Sequence, residues 1–255
     1  MSIQNVSSVP AAHDDMSSHD FLVISERPSD SPVVERVWRA HSERAGTMLS
    51  VASSHCEMVV TRREGETTLT LRGPETKATV AECSADTEWI GIRFRLGSFM
   101  PAYPASRLMD RKDVQLHGAT SRSFWFDDSA WAYPDFENAE AFVARLVDAD
   151  LLRRDAAVEA ALRGEAHALS RRSTQRHFLY ATGVTHTAFR NIERARYAAR
   201  LLRQGASIVD TVHEAGYYDQ AHLTRTLQKL IGVTPAKIGR QERQLSLLYK
   251  TELPR

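Results

Sequence analysis

The sequence predicts an α+β chain, with an antiparallel β-barrel or sandwich followed by an all-α unit. Three observations carry that prediction. From about Phe21 to Leu96 the apolar residues recur with period two, in short runs separated by turn residues. Beyond about Asn138 the spacing becomes helical. Leu169 to Arg240 then contains two helix–turn–helix patterns joined by one long helix.

In chain order, Met1 to Asp20 is rich in Ser, His and Asp, without a basic start or an apolar core. Its composition predicts a disordered segment and no secretory signal. Strands are expected at Val33–Trp38, Thr47–Val51, Glu57–Thr61, Thr67–Arg72, Ala78–Glu82 and Glu88–Arg95. Gly65, Gly73-Pro74 and Ser84-Ala85-Asp86 supply turns between them. Gly97 to Pro104 reads as an ordered loop. Residues 105–137 read as irregular chain, with Trp125, Phe126, Trp131 and Tyr133 packed on the sheet. Asn138 to Asp148 is a helix with Ala139, Phe142 and Leu146 on one face, and 149–155 is the expected domain boundary. Asp155 caps a helix to Arg163, where Ala157, Val158 and Ala161 pack.

The first helix–turn–helix pattern begins weakly, with a short helical piece at 166–169. Ser170 then caps a helix whose outward face carries Arg171, Arg172, Gln175 and Arg176. Phe178 and Leu179 point to the core, and Gly183 stops it. Thr187 to Gln204 is the connecting helix, roughly 25 Å long at its 1.5 Å rise per residue. Phe189, Ile192, Ala195, Ala199 and Leu202 form its apolar face, and Arg190, Arg194, Arg196, Arg200 and Arg203 occupy the others. One of Arg194 and Arg196 is expected to pair with Glu193 or Asp210, the other to contact a backbone. In the second pattern Ser207 caps Ile208 to Ala215, Gly216 ends that helix, and Tyr217 and Tyr218 fill the turn. Asp219 caps a helix from Gln220 to about Leu230. Leu223, Leu227 and Leu230 are its buried stripe. Gln220, Ala221, Thr224, Arg225 and Gln228 stand on the open face, with His222 at its edge. Such a face has the donors and acceptors that base edges in a major groove require. After Arg240 the tail, with Leu245, Leu247, Leu248 and Leu253, reads as a last helix or a frayed end.

Charge is divided unevenly. Residues 151–240 hold 15 basic and 7 acidic residues, while the rest of the chain holds 18 and 25. A basic reader attached to an acidic partner domain has this signature. Cys56 and Cys83 form neither a disulfide framework nor a metal cluster. No run of 18 apolar residues is present. Together these predict a cytoplasmic chain without a membrane partner.

Enzyme classes find little support. A metal-using barrel needs two close His on one strand plus a carboxylate and a further His. Here His55 has only Cys56 beside it, and His41 and His117 stand alone. His213-Glu214 begins like a zinc-protease helix, but Tyr217 occupies the position of the second His. Two scattered cysteines do not make an alkyl-accepting cluster. No glycine-rich phosphate loop or nucleophile elbow is present. No catalytic residue, cofactor or metal is expected.

Ser170, Arg176, Phe178 and Gly183 are followed by Arg194, Arg196, Ala199 and Leu202. Then come Ile208, Ala215-Gly216-Tyr217, Asp219-Gln220, His222-Leu223, Arg225 and Gly232-Val233-Thr234-Pro235. In order and spacing this series resembles the DNA-binding domain of AraC/XylS-type bacterial transcription regulators, over the C-terminal third of the chain. The resemblance implies a sequence-specific regulator whose two helix–turn–helix units read successive major grooves. It implies base contacts from Arg172, Gln175 and Arg176 in the first reader. In the second they come from Gln220, Ala221, His222, Thr224 and Arg225. Thr174 stands where the family has a large aliphatic residue, and the helix before Ser170 is poor, which points the first reader towards phosphate contacts. The resemblance also implies that 21–150 is a cupin-like regulatory domain and 151–255 the DNA-binding domain. RNA polymerase, a small-molecule effector and a second copy of the chain are the further partners it admits. The competing expectation is an interaction module with a vestigial DNA domain.

Overall fold

A computed structural model describes residues 21–110, 112–165, 170–239 and 245–246. The N-terminal segment 1–20, the helical piece at 166–169 and most of the tail beyond Arg240 lie outside the described residues. The strands are β1 (Leu22–Pro28), β2 (Val34–Ser42), β3 (Gly46–Ser50), β4 (Glu57–Arg63), β5 (Glu66–Arg72), β6 (Thr79–Cys83), β7 (Thr87–Phe94) and β8 (Ser98–Phe99). Helix α1 (Ala105–Leu108) precedes β9 (Val114–Leu116), β10 (Gly118–Thr120), β11 (Ser123–Phe126) and β12 (Ser129–Ala132). Then come α2 (Ala139–Asp148), β13 (Arg153–Arg154), α3 (Ala156–Leu162), α4 (Arg171–Thr182), α5 (His186–Arg203), α6 (Ile208–Glu214), α7 (Gln220–Leu230), α8 (Pro235–Gly239) and β14 (Leu245–Ser246).

The strand-rich half is built on one antiparallel sheet in the order β1-β2-β7-β4-β5-β9. A second sheet, β14-β3-β6, pairs β3 with β6 antiparallel, and Leu245–Ser246 lie parallel to Leu49–Ser50. Neither sheet closes on itself, so the hydrogen-bonded barrel expected from the resemblance is not formed among the described residues. Strand β1 and the three short strands β9, β10 and β11 lie where no strand was expected, and so does β12. At three or four residues, β9–β12 are too short to show a period. Within 105–137, Phe126 and Trp131 pack as expected, but Trp125 is half exposed because successive side chains of β11 face opposite ways.

The central strands are buried on both faces. Val37, Met58, Val60, Ile90 and Ile92 point into a core shared with α2 and the β11–β12 hairpin. Their neighbours Trp38 and Val59 point the other way, into a second cluster with Leu22, Met48 and Trp89. Two-sided burial explains why Met58-Val59-Val60 is a continuous apolar run. Gly91 sits opposite Trp38 in the β2–β7 register. A Cβ there would come within 2.0 Å of the Trp38 ring, so the indole lies across the bare backbone. Glu57 and Arg93 are also cross-strand partners, joined at 2.5 Å and both buried. Burial pushes the Glu57 carboxyl up, but the adjacent Arg93 guanidinium outweighs it and holds the group below its usual range.

Helix α2 is fastened to β1 by Arg27, which donates to both Glu140 oxygens at 2.5 and 2.7 Å and to the Phe136 carbonyl. Residues 149–155 are also packed. Leu152 is buried, and Arg153–Arg154 pair with Ser98–Phe99.

Two outcomes test this packing. Gly91→Ala forces the Trp38 ring off the sheet and should cost about 1–3 kcal/mol, read as a lower urea midpoint. The Arg27 hydrogen bonds outweigh partial burial and hold the Glu140 carboxyl at about 2, against an ordinary 4.5. The Glu140 contribution is therefore complete above about pH 4.5 and is lost as pH falls towards 2. Melting temperature measured across that window should fall less steeply in Glu140→Gln.

Candidate nucleic-acid interface

Helices α4 to α7 each have a side-chain cap, at Ser170, Ser207 and Asp219 where the sequence places one and at Thr185, just before the expected start of α5. The Ser170 hydroxyl accepts from the Ser173 N–H and opens α4. Thr185 does the same for Ala188 and α5, Ser207 for Asp210 and α6, and Asp219 for His222 and α7. Gly183, at φ 73°, ends α4 with its N–H on the Leu179 carbonyl.

In α4 the side chains of Arg172, Gln175 and Arg176 are exposed together. The side chain of Arg171, which opens this helix, lies outside the described ones. Thr174 is half-buried and turns its hydroxyl back to the Ser170 carbonyl. Phe178 is buried with Val158, Ala181 and Val184, edge-on to His186. Leu179 is 45 % exposed rather than core, since nothing among the described residues covers that side of the helix. His177 Nδ1 lies 2.8 Å from Asp155, which also caps α3, so α3 and α4 share one anchor.

Helix α5 runs 18 residues, roughly 27 Å, close to the predicted span. Ile192, Ala195, Ala199 and Leu202 are buried as expected. Both motif arginines donate to backbone carbonyls of the protein, whereas the sequence places one of them on a backbone and the other beside Glu193 or Asp210. Arg194 donates to the Gly216 carbonyl at 3.4 Å and to Asn191 at 3.0 Å, with its guanidinium 4.7 Å from the Tyr217 ring centre. It braces the turn between α6 and α7. Arg196 is only 5 % exposed and donates to the Ala52 carbonyl of the strand-rich half. Asp210 is taken by Ser207, at 2.6 Å.

Helices α6 and α7, with the five-residue turn 215–219 between them, form a helix–turn–helix. Leu223, Leu227 and Leu230 are buried, and Val212, Ala215 and Tyr217 complete that core. Gln220, Ala221 and Arg225 are exposed, and Thr224 is half-buried on the same helix. His222 is half-buried and sits edge-on to Tyr217, 5.1 Å between ring centres, so its ring is partly committed to the fold. Tyr218, in the turn beside the α7 N-terminus, is 91 % exposed. In the sequence both tyrosines read as turn filler, because adjacent tyrosines carry no sign of which one faces out.

A family model described as a helix-turn-helix domain matches residues 164–241. This segment is a DNA-binding region of the AraC/XylS type. No curated protein and no solved structure matches the chain. No helix among the described residues is long and apolar enough to cross a membrane. The AraC/XylS-type region does not stand apart from the strands. Ala52 donates to the Leu230 carbonyl and Ala78 to that of Lys229, both at 2.8 Å, so the last carbonyls of α7 are satisfied by the strand-rich half. At the end of α4 Gly183 lies against Ala105–Ser106, and Tyr180 meets Phe99 edge-on.

The caps give a separable test. Asp219→Ala removes the acceptor for His222 N–H and should cost about 1 kcal/mol. Protection of α7 amides against hydrogen exchange should fall, while that of α4 stays as it was.

Proposed function

We propose that the chain is a sequence-specific transcription regulator whose α4 and α7 enter successive major grooves of one duplex. The observation that carries this reading is the α7 helix. Gln220, Ala221 and Arg225 face out from its N-terminal half, while its apolar stripe, its cap and the preceding turn are all fixed by the fold. In the second reader Gln220 and Arg225 read base edges, with Thr224 and His222 at the margin and Ala221 admitting close approach. Tyr218 reaches the phosphate backbone. In the first reader Arg172, Gln175 and Arg176, with Arg171 at the helix start, contact bases and phosphates. Arg196 has no direct role at the duplex, because it is buried. The strand-rich half acts as the regulatory domain, since it holds both reading helices by their C-terminal ends. RNA polymerase, a small effector and a second copy of the chain remain the partners such a regulator would meet in the cytoplasm.

Selection of bound sequences from a random duplex library, with the full chain, tests this. A site of two short blocks about one helical turn apart, roughly 34 Å, is expected. Affinity should fall steeply with salt, because phosphate neutralisation supplies most of it. Gln220→Ala and Arg225→Ala should each relax one position of the second block, by about 1–3 kcal/mol of discrimination. Arg200→Ala should leave the preference unchanged. An unaltered preference in the Gln220→Ala, Arg225→Ala double variant would overturn the assignment.

A further inference from the structure

The His222 side chain is held from outside its own helix. Its imidazole is half-buried and stands edge-on to Tyr217, with ring centres 5.1 Å apart and planes at 78°. An edge-to-face pair favours one mutual orientation, so the contact selects among the staggered rotamers open to the imidazole. The backbone beneath it is fixed as well, because the His222 N–H donates to the Asp219 carboxylate at 2.6 Å. The ring nitrogens make no hydrogen bond among the described residues. Packing therefore sets the direction of a ring whose polar edge is left to a group outside the chain.

Tyr217 is held in turn by α5. It is 6 % exposed, in one core with Val212, Leu223 and Leu227, and its N–H donates to the Val212 carbonyl at 2.8 Å. The Arg194 guanidinium lies 4.7 Å from its ring centre, within the range in which a cation is attracted to an aromatic face. Arg194 is fixed at both ends of its fork. It donates to the Gly216 carbonyl at 3.4 Å and to the Asn191 side-chain oxygen at 3.0 Å. Asn191 stands one turn earlier on α5, so the place of the guanidinium is set by α5 and the turn, not by α7. Asn191, Arg194, Tyr217 and His222 thus form a continuous series of contacts from the connecting helix to the margin of the α7 face.

We propose that Arg194 and Tyr217 are positioning residues for DNA reading, which aim the His222 imidazole at one base pair of the second block. A neutral imidazole offers one N–H donor and one acceptor, and base edges in the major groove offer partners for both. A ring held against Tyr217 presents these atoms in one direction, whereas an unsupported ring spreads them over several rotamers. Helix α5, which spaces α4 and α7, then also governs the choice at one base pair. The aim of the ring stands by itself, whereas its effect on base choice rests on the reading given under Proposed function.

The test uses the full chain and has two readouts. Without DNA, the carbon-bound ring protons of His222 are followed by nuclear magnetic resonance, assigned from the signals lost in His222→Ala. Tyr217→Leu and Arg194→Ala should each move those signals, and Tyr217→Phe, which keeps the ring, should restore them. Circular dichroism verifies that the variants are folded. Arg194→Ala, at a half-buried position, carries the test by itself if Tyr217→Leu does not fold. In selection from the random duplex library, His222→Ala should relax one base pair of the second block by about fivefold or more. Arg194→Ala and Tyr217→Leu should relax that same base pair and leave those read by Gln220 and Arg225 as they were. With His222→Ala already in place, Arg194→Ala should relax it no further. Unmoved His222 signals in folded Arg194→Ala overturn the aim of the ring, whatever the DNA result. Relaxation spread equally over both blocks belongs to a merely structural role and overturns the proposal, and so does an unchanged preference in His222→Ala. Moved signals with no selective duplex found for the unaltered chain overturn the DNA reading alone.

Discussion

Both backbone groups of Ala52 are committed to helices far away in the chain. Its N–H is held by the last carbonyl of α7, and its carbonyl by the Arg196 guanidinium of α5. The residue is fully buried, and Val51 beside it sits in one core with Ile192, Ala199, Leu223 and Leu230. An unpaired buried backbone group costs about 1–3 kcal/mol, so either helix that left would strand a partner. Arg196 adds to that constraint. Burial pushes its pKa down and the nearby Arg93 pushes the same way, while Glu193 and Glu35 pull it back. A charge placed there depends on every neighbour staying where it is.

This seam changes what α5 does. As a free rod, α5 would set the distance between α4 and α7 by its length alone. Instead α7 is also fixed at its C-terminal end by the strands, and α4 is fixed by α1 and β8 through Gly183 and Tyr180. The N-terminal ends of α4 and α7, with Arg172 and Gln175 on one and Gln220 and Ala221 on the other, stay exposed. Gly183 shows how tight the arrangement is. A Cβ there would approach the Ala105 carbonyl carbon to 2.8 Å, and the positive φ already favours glycine.

Ionic groups inside the strand-rich half follow the same economy. Glu26, Arg36, Glu35 and His55 form a chain of contacts at 3.0, 3.6 and 3.2 Å. Burial pushes the His55 ring down, against the pull of Glu35, and it is lowered overall. Glu35 and Arg36 of this chain of contacts also act on Arg196, so part of the acidic surplus of the first 150 residues is an interior feature that receives a basic side chain from α5.

Much of the architecture was legible in the residues. Period-two runs marked β2 to β7 because successive side chains of a strand face opposite sides of the sheet, and the run breaks into a continuous apolar stretch only where both sides are buried, as at Met58-Val59-Val60. The N-caps at Ser170, Ser207 and Asp219 and the Leu223, Leu227, Leu230 stripe marked the helices, because hydrogen-bond geometry and 3.6-residue spacing are local properties. The exposed positions of α7 followed from that stripe by elimination. Three things depended on distant contacts and left no local trace: the exposure of Leu179, the burial of Arg196 and the open ends of the two sheets. Composition and spacing thus set which segments form helices and strands and which side chains of α7 face out. Which arginine turns inward, and what holds α5 and α7 in place, was decided only when residues 144 positions apart came within 3.3 Å, because burial depends on what arrives from elsewhere in the chain.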